Sequence, residues 1–78
     1  MNKTMIANIH IGDKIRVQLN ENKITVADLA RRINRSREAT RDILNKKSIN
    51  TDLLLNISAA LNYDFFSEYT KVHEKRRF

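Results

Sequence analysis

The segment NRSREATRDIL, residues 34 to 44, concentrates charged side chains that suit hydrogen bonding to polar planar groups. Arginine offers a fork of N–H donors and a carboxylate offers two acceptor oxygens. In a helix, Arg37 would lie beside Arg41 and Glu38 beside Asp42, and each like-charge pair costs roughly 0.2–0.5 kcal/mol. A partner that separates and satisfies these groups would remove that cost. The alternative is a solvated face, on which Glu38 and Asp42 merely favour the N-terminal half of the helix.

The positive charge of the chain is concentrated around this segment. The 78 residues carry a net charge of +6. Residues 31–47 hold seven basic and two acidic residues, a net +5, whereas residues 1–30 contribute +1 and residues 48–78 contribute zero. We call residues 31–47 the basic block. A contiguous block of this kind indicates a polyanionic partner, because counterion release from phosphates supplies affinity. A solubilising surface would spread the charge along the chain.

The composition argues against several classes of function. The chain has no cysteine, and its two histidines, His10 and His73, are far apart, so we expect no metal site. It also lacks a nucleophile and base pair, a glycine-rich phosphate loop and a paired-carboxylate pocket, so we expect neither catalysis nor a cofactor. There is no apolar run near the roughly 20 residues of a spanning helix and no signal-peptide core. We therefore expect a cytoplasmic protein without membrane contact or a small-molecule ligand.

Helical periodicity predicts a compact all-α domain of four to five helices. Apolar residues recur at spacings of three and four, and predicted helices two, three and four each follow a residue that favours an N-cap. Thr25 and Asp28 form a capping box before helix two, Ser36 precedes helix three, and Asn50 or Thr51 precedes helix four. The predicted helices span residues 11–20, 26–33, 37–45 and about 51–61, with a short fifth helix from Phe65. We expect an N-terminal extension over residues 1–10, one domain over 11–70 and a basic C-terminal tail over 71–78.

The join between helices two and three predicts a particular supersecondary structure. The turn is about three residues long, and Asn34 enters the left-handed region at low cost, so it can end helix two. On helix three, Thr40, Ile43 and Leu44 define a buried side. The outward side chains are all polar and hydrogen-bonding: Glu38, Arg41, Asp42 and Asn45, with Arg37 at the N-terminal end. This is the geometry of a helix-turn-helix, whose second helix enters the major groove of DNA.

The stretch TVADLARRINRSREATRDILNKKSINTDLLLNISAALNYDFF resembles the lambda-repressor-like, Cro/C1-type (Xre family) DNA-binding domain, in its compact Bacteroidetes-type version. The resemblance is carried by DLARRIN, the Ser36 cap, NTDLLLNIS and the ending LNYDFF, and it covers roughly residues 9 to 66. Three positions depart from the family pattern. Asn34 replaces a turn glycine, Thr40 stands where a buried valine or isoleucine is usual, and Asn50 falls near a common proline.

The resemblance implies a lambda-repressor-like fold and residues that read bases at the start of helix three. It assigns this reading to Arg37, Glu38, Ala39 and Asp42, and the helical geometry adds Arg41. Phosphate contacts are predicted where helix N-termini and flexible polar side chains flank helix three. The predicted phosphate-contacting residues are Thr25, Val26, Arg35, Ser36, Lys46, Lys47 and Ser48.

The leading functional prediction is a bacterial transcriptional regulator that binds double-stranded DNA by sequence. We expect a repressor that acts by operator occupancy and binds as a homodimer. An antitoxin that regulates its own toxin-antitoxin pair and a phage or mobile-element repressor stay open, with a toxin or an antirepressor as protein partner. A protein-interaction module on the same fold is a further alternative, but its helix three would lack these charged side chains. The C-terminal aromatic residues are predicted as core, with a dimer contact as the alternative: Tyr63, Phe65, Phe66 and Tyr69.

Overall fold

The computed structural model describes residues 9–76, with side chains through residue 72. This part of the chain forms five α-helices and contains no strand, which confirms the predicted all-α fold. The helices are α1 (Ile11–Glu21), α2 (Val26–Arg32), α3 (Arg37–Leu44), α4 (Thr51–Leu61) and α5 (Phe66–Arg76). The predicted boundary at residue 70 lies within α5. The predictions for residues 1–8, for residues 77–78 and for the His73 side chain fall outside the described residues.

Each of the first four helices is preceded by a capping residue whose side chain accepts a hydrogen bond from the backbone N–H three residues later. The donor–acceptor distances lie between 2.8 and 3.1 Å. The capping residues are His10, Thr25, Ser36 and Asn50. Such caps satisfy amides that have no partner within the helix, so the starts of these helices are encoded locally. The caps predicted at Thr25 and Ser36 are confirmed, and the choice between Asn50 and Thr51 falls to Asn50.

Three helices end in the same left-handed turn, although none of the turns contains glycine. Lys23, Asn34 and Asn62 have φ of 57°, 59° and 54°. In each case the next residue donates its N–H to a carbonyl five residues earlier, at 2.9–3.0 Å, which is the bond of a Schellman motif. The turn predicted at Asn34 is confirmed. The turn at Asn34 ends α2 at Arg32, and α3 ends at Leu44, before its C-cap Asn45. Each helix therefore stops one residue before its predicted end.

The core lies where α1 to α4 turn their apolar stripes toward one another, and Phe65 closes it. Its members on α3, Ile43 and Leu44, confirm the buried side predicted for that helix. The core cluster consists of Ile9, Ile11, Ile15, Leu19, Leu29, Ile43, Leu44, Leu53, Leu54, Ile57, Leu61 and Phe65. Phe65 is fully buried, which confirms its predicted place in the core. Tyr69 is 38% exposed, so the same prediction is wrong for this residue.

Thr40 is a buried polar residue within this core, and its hydroxyl is satisfied inside α3. Oγ1 donates to the Ser36 carbonyl at 2.8 Å, and the same carbonyl also accepts the Thr40 N–H at 3.0 Å. Valine would therefore leave no unsatisfied group, so we expect Thr40→Val to raise the free energy of unfolding by up to about 1 kcal/mol. Urea denaturation measures this. Thr40→Ala removes the methyl as well and is expected to lower stability. A lower free energy of unfolding for Thr40→Val than for the parent would contradict this expectation.

Candidate nucleic-acid interface

The exposed face of α3 is held in place by its buried face and its N-terminal cap. Ile43, Leu44 and Thr40 fix one side of the helix in the core, and the hydroxyl of Ser36 accepts the Ala39 N–H at 3.0 Å. The side chains predicted to face outward are exposed, and Ala39 is half-buried. The exposed set is Arg37, Glu38, Arg41 and Asp42. Their predicted contact with bases stays a prediction.

The basic block divides into side chains that are used within the protein and side chains that are not. Arg31 pairs with Asp28, and Arg32 donates to the Ala60 carbonyl at 3.0 Å, so both belong to the fold. Among the described side chains, the other five form neither an ion pair nor a hydrogen bond with the protein. These five are Arg35, Arg37, Arg41, Lys46 and Lys47; we call them the unpaired cations. They surround α3. Sequence reasoning overlooked this division, although the i, i+3 spacing of Asp28 and Arg31 signalled the first pair.

The loop that follows α3 is fixed by the N-terminus of α1. The N–H of Ile11 donates to the Lys47 carbonyl at 2.9 Å, and the N–H of Gly12 donates to the Lys46 carbonyl at 3.0 Å. These hydrogen bonds use only the backbone carbonyls of the two lysines, and both side chains are exposed. Gly12 permits this approach, since a Cβ there would overlap the carbonyl of Leu44. Gly12 is the one glycine in the sequence, which was the available signal for a close contact.

A second contact ties α1 to the end of α3. Nη2 of Arg16 donates to Oδ1 of Asn45 at 2.8 Å, and Asn45 is the C-cap of α3. Asn45, predicted to face outward, is exposed but is engaged by α1. The two residues are 29 positions apart, so no local pattern in the sequence indicated the pair.

The start of α2 carries the predicted capping box and forms one wall of a shallow groove. Oγ1 of Thr25 accepts the Asp28 N–H at 3.1 Å. The hydrogen bond from the Thr25 hydroxyl, followed by the positive charge of Arg31, lowers the pKa of Asp28 below its ordinary value. Thr25 is exposed and Val26 half-buried. Both line a groove of about 440 Å³ to which Arg16 also contributes.

The capping box predicts a pH dependence of stability. The pKa of Asp28 is lower in the folded state than the 3.8 of a free aspartate. The carboxylate therefore stabilises the fold above its unfolded pKa, and this stabilisation is lost as pH falls through the folded pKa. We expect Asp28→Asn to reduce the free energy of unfolding at pH 7 and the difference from the parent to shrink below about pH 4. Urea denaturation between pH 3 and 7 measures it; a gap independent of pH would contradict the assignment.

The arrangement of α2, the turn at Asn34 and α3 defines a helix-turn-helix, the class of DNA-binding proteins in which the second helix is presented to the major groove. A sequence model of the Cro/C1-type helix-turn-helix DNA-binding domain matches residues 14–66, more than half of the chain. The chain belongs to this family, as its sequence predicts. No curated protein and no solved structure matches it. No helix in the described part has the length and apolar character needed to cross a bilayer.

Proposed function

We propose that this DNA-binding protein is a sequence-specific transcriptional repressor that occupies an operator with α3 in the major groove. The observation that carries the proposal is the set of five unpaired cations around α3. The two side chains of the basic block that are used within the protein, Arg31 and Arg32, lie on α2, so the five unpaired cations are those on and beside α3. Cations that lie on or beside one exposed helix and have no partner among the described side chains suit a polyanion that supplies those partners on binding.

Base reading is proposed for the exposed face of α3. The guanidinium groups of Arg37 and Arg41 suit the two acceptors of guanine, and the carboxylates of Glu38 and Asp42 suit the amino group of cytosine. Ala39 offers a small apolar contact to a thymine methyl. The two acids repel phosphates and so subtract from non-specific affinity, which raises the ratio of specific to non-specific binding.

Phosphate binding is proposed for the residues that flank α3. Lys46 and Lys47 extend from a loop whose backbone is held by α1, so their charges are anchored without being neutralised. The other proposed phosphate contacts come from the turn before α3, the loop after it and the first turn of α2. They are Arg35, Ser36, Ser48, Thr25 and Val26.

A two-fold dimer is the proposed active form. Half-sites one helical turn, about 34 Å, apart would then carry one α3 each, and the operator would be a palindrome. Leu55 of α4 and Tyr69 of α5, which are 58% and 38% exposed, are proposed as contacts of this dimer. The proposed repressor acts on DNA in the cytoplasm, and no catalytic step enters the proposal.

Selection of bound sequences from random duplex DNA tests the proposal. The protein is incubated with the duplex pool, and the affinity for the recovered sequence is then compared with that for a scrambled duplex over a range of salt concentrations. We expect a palindromic consensus and a selected duplex bound about 10³-fold or more tightly than the scrambled one. Equal affinity for both duplexes would overturn the sequence-specific proposal. A consensus without symmetry would overturn the dimer.

Lys46→Ala is expected to weaken binding to the selected and the scrambled duplex by the same factor. A phosphate contact is independent of sequence, so its loss should reduce the slope of log affinity against log salt by about one unit. Lys71→Ala is the matched control, because Lys71 is an exposed lysine of α5 outside the basic block, and we expect it to leave the slope unchanged. A loss confined to the selected duplex would make Lys46 a base-reading residue instead.

A further inference from the structure

We infer that Arg16 of α1 is a positioning residue for base reading by α3 and that it acts through Asn45. The inference rests on the proposed function. Its starting point is the 2.8 Å hydrogen bond from the Arg16 guanidinium to the Asn45 side chain. Arg16 lies outside the basic block and on a different helix from the proposed base contacts, yet its side chain reaches the residue at which α3 ends.

The C-terminal end of α3 is held by the buried side chains of Ile43 and Leu44 and by contacts from α1. The helix has only eight residues, about two turns, and its N-terminal end is already fixed by the Ser36 cap and the turn at Asn34. At the other end, the N–H of Asn45 donates to the Asp42 carbonyl at 3.1 Å. Arg41 and Asp42 lie within one turn of Asn45, so a tilt of this end moves their side chains across the groove. Recognition of base edges tolerates a misplacement of only about 0.5 Å.

α1 holds this end of the interface at three points. Two are the backbone hydrogen bonds from Ile11 and Gly12 to the loop carbonyls of Lys47 and Lys46. The third is the bond from Arg16, which is made by a side chain and can therefore be removed without disturbing the backbone of α1. Arg16 and Asn45 are both exposed, so their bond contributes little to the free energy of unfolding. A loss of DNA recognition on breaking it would then reflect the placement of α3.

A double-mutant cycle on the full chain tests the inference. Arg16→Met, Asn45→Ala and the double variant are compared with the parent for affinity to the selected and scrambled duplexes. If Arg16 acts through Asn45, each single change lowers affinity for the selected duplex by about 3- to 20-fold, and the double variant loses no more than the larger single loss. The scrambled duplex and the salt slope change little. Lys14→Met, which removes one positive charge from the same helix, is the matched control and should not alter the ratio of the two affinities.

Two results would overturn the inference. Losses that add in the double variant would mean that Arg16 and Asn45 act independently. Equal losses on both duplexes, with the salt slope reduced by about one unit in Arg16→Met, would make Arg16 a phosphate contact. Amide hydrogen exchange of the free protein separates this inference from the proposed function, since it needs no DNA. We expect faster exchange at the Asn45 and Lys46 amides in both single variants, and unchanged exchange would refute positioning even if the parent preferred no sequence.

Discussion

Arg37→Ala is expected to lower affinity for the selected duplex by about 5- to 150-fold relative to the scrambled duplex, the loss of one bidentate base contact worth about 1–3 kcal/mol. Arg37 is the first residue of α3, is exposed and has no partner among the described side chains. In a helix-turn-helix the N-terminal residues of the second helix meet the base edges. Its guanidinium is therefore the group whose removal should most relax the sequence preference.

Arg31→Ala is the matched control for this change. It removes the same side chain from the same basic block, but the guanidinium of Arg31 already pairs with Asp28 on α2. We expect the ratio of affinities for the two duplexes to stay near that of the parent. Titration of both variants against both duplexes at fixed salt gives the comparison. If the two variants lost specificity equally, the basic block would be acting as undifferentiated charge.

Gly12→Ala is expected to lower the free energy of unfolding by about 1–3 kcal/mol. Inside a helix the same change normally stabilises, by roughly 0.5–1 kcal/mol. Here the added methyl would stand 2.5 Å from the Leu44 carbonyl carbon and 2.9 Å from the Lys46 carbonyl oxygen, which are backbone atoms that cannot rotate away. The overlap can be removed only if α1 moves away from the end of α3. The resulting loss of stability is expected to exceed the gain from the higher helix propensity of alanine.

The same substitution should also affect DNA binding, because the hydrogen bond from the Gly12 N–H holds the Lys46 carbonyl. Urea denaturation gives the change in stability, and binding to the scrambled duplex reports on the lysine loop. Asn20→Ala is the control, since Asn20 is an exposed position of α1 at which alanine is expected to be neutral or mildly stabilising. If Gly12→Ala raised the free energy of unfolding, the contact between α1 and α3 could accommodate the methyl group without destabilising the fold, contrary to this expectation.

Features with a local cause could be predicted from the sequence. The caps at Thr25 and Ser36 and the left-handed turn at Asn34 each depend on residues within three or four positions, and the apolar stripes repeat within each helix. Lys23 shows the limit of this reasoning. Its left-handed backbone is unfavourable for lysine and is imposed by the Schellman bond from Ile24 to Leu19.

Features that depend on distant partners could not be predicted. The exposed face of α3 follows from helical periodicity, but the use of Arg32 by the Ala60 carbonyl joins residues 28 positions apart. The pairing of Arg16 with Asn45 is of the same kind. Counting charges along the sequence treats every arginine of the basic block alike. For Arg32, only the packing of the helices shows which group its side chain contacts.

The four side-chain caps also bear on how fast the protein folds. Because each of α1 to α4 starts at its own capping side chain and the connections between helices are short, most of the ordering is local along the chain. Helical domains dominated by local contacts fold in microseconds to milliseconds. The 78 residues contain no proline, so no prolyl isomerisation, which takes tens of seconds, delays the last molecules. The amount of DNA-competent protein in a cell would then follow its synthesis and degradation without a lag from folding.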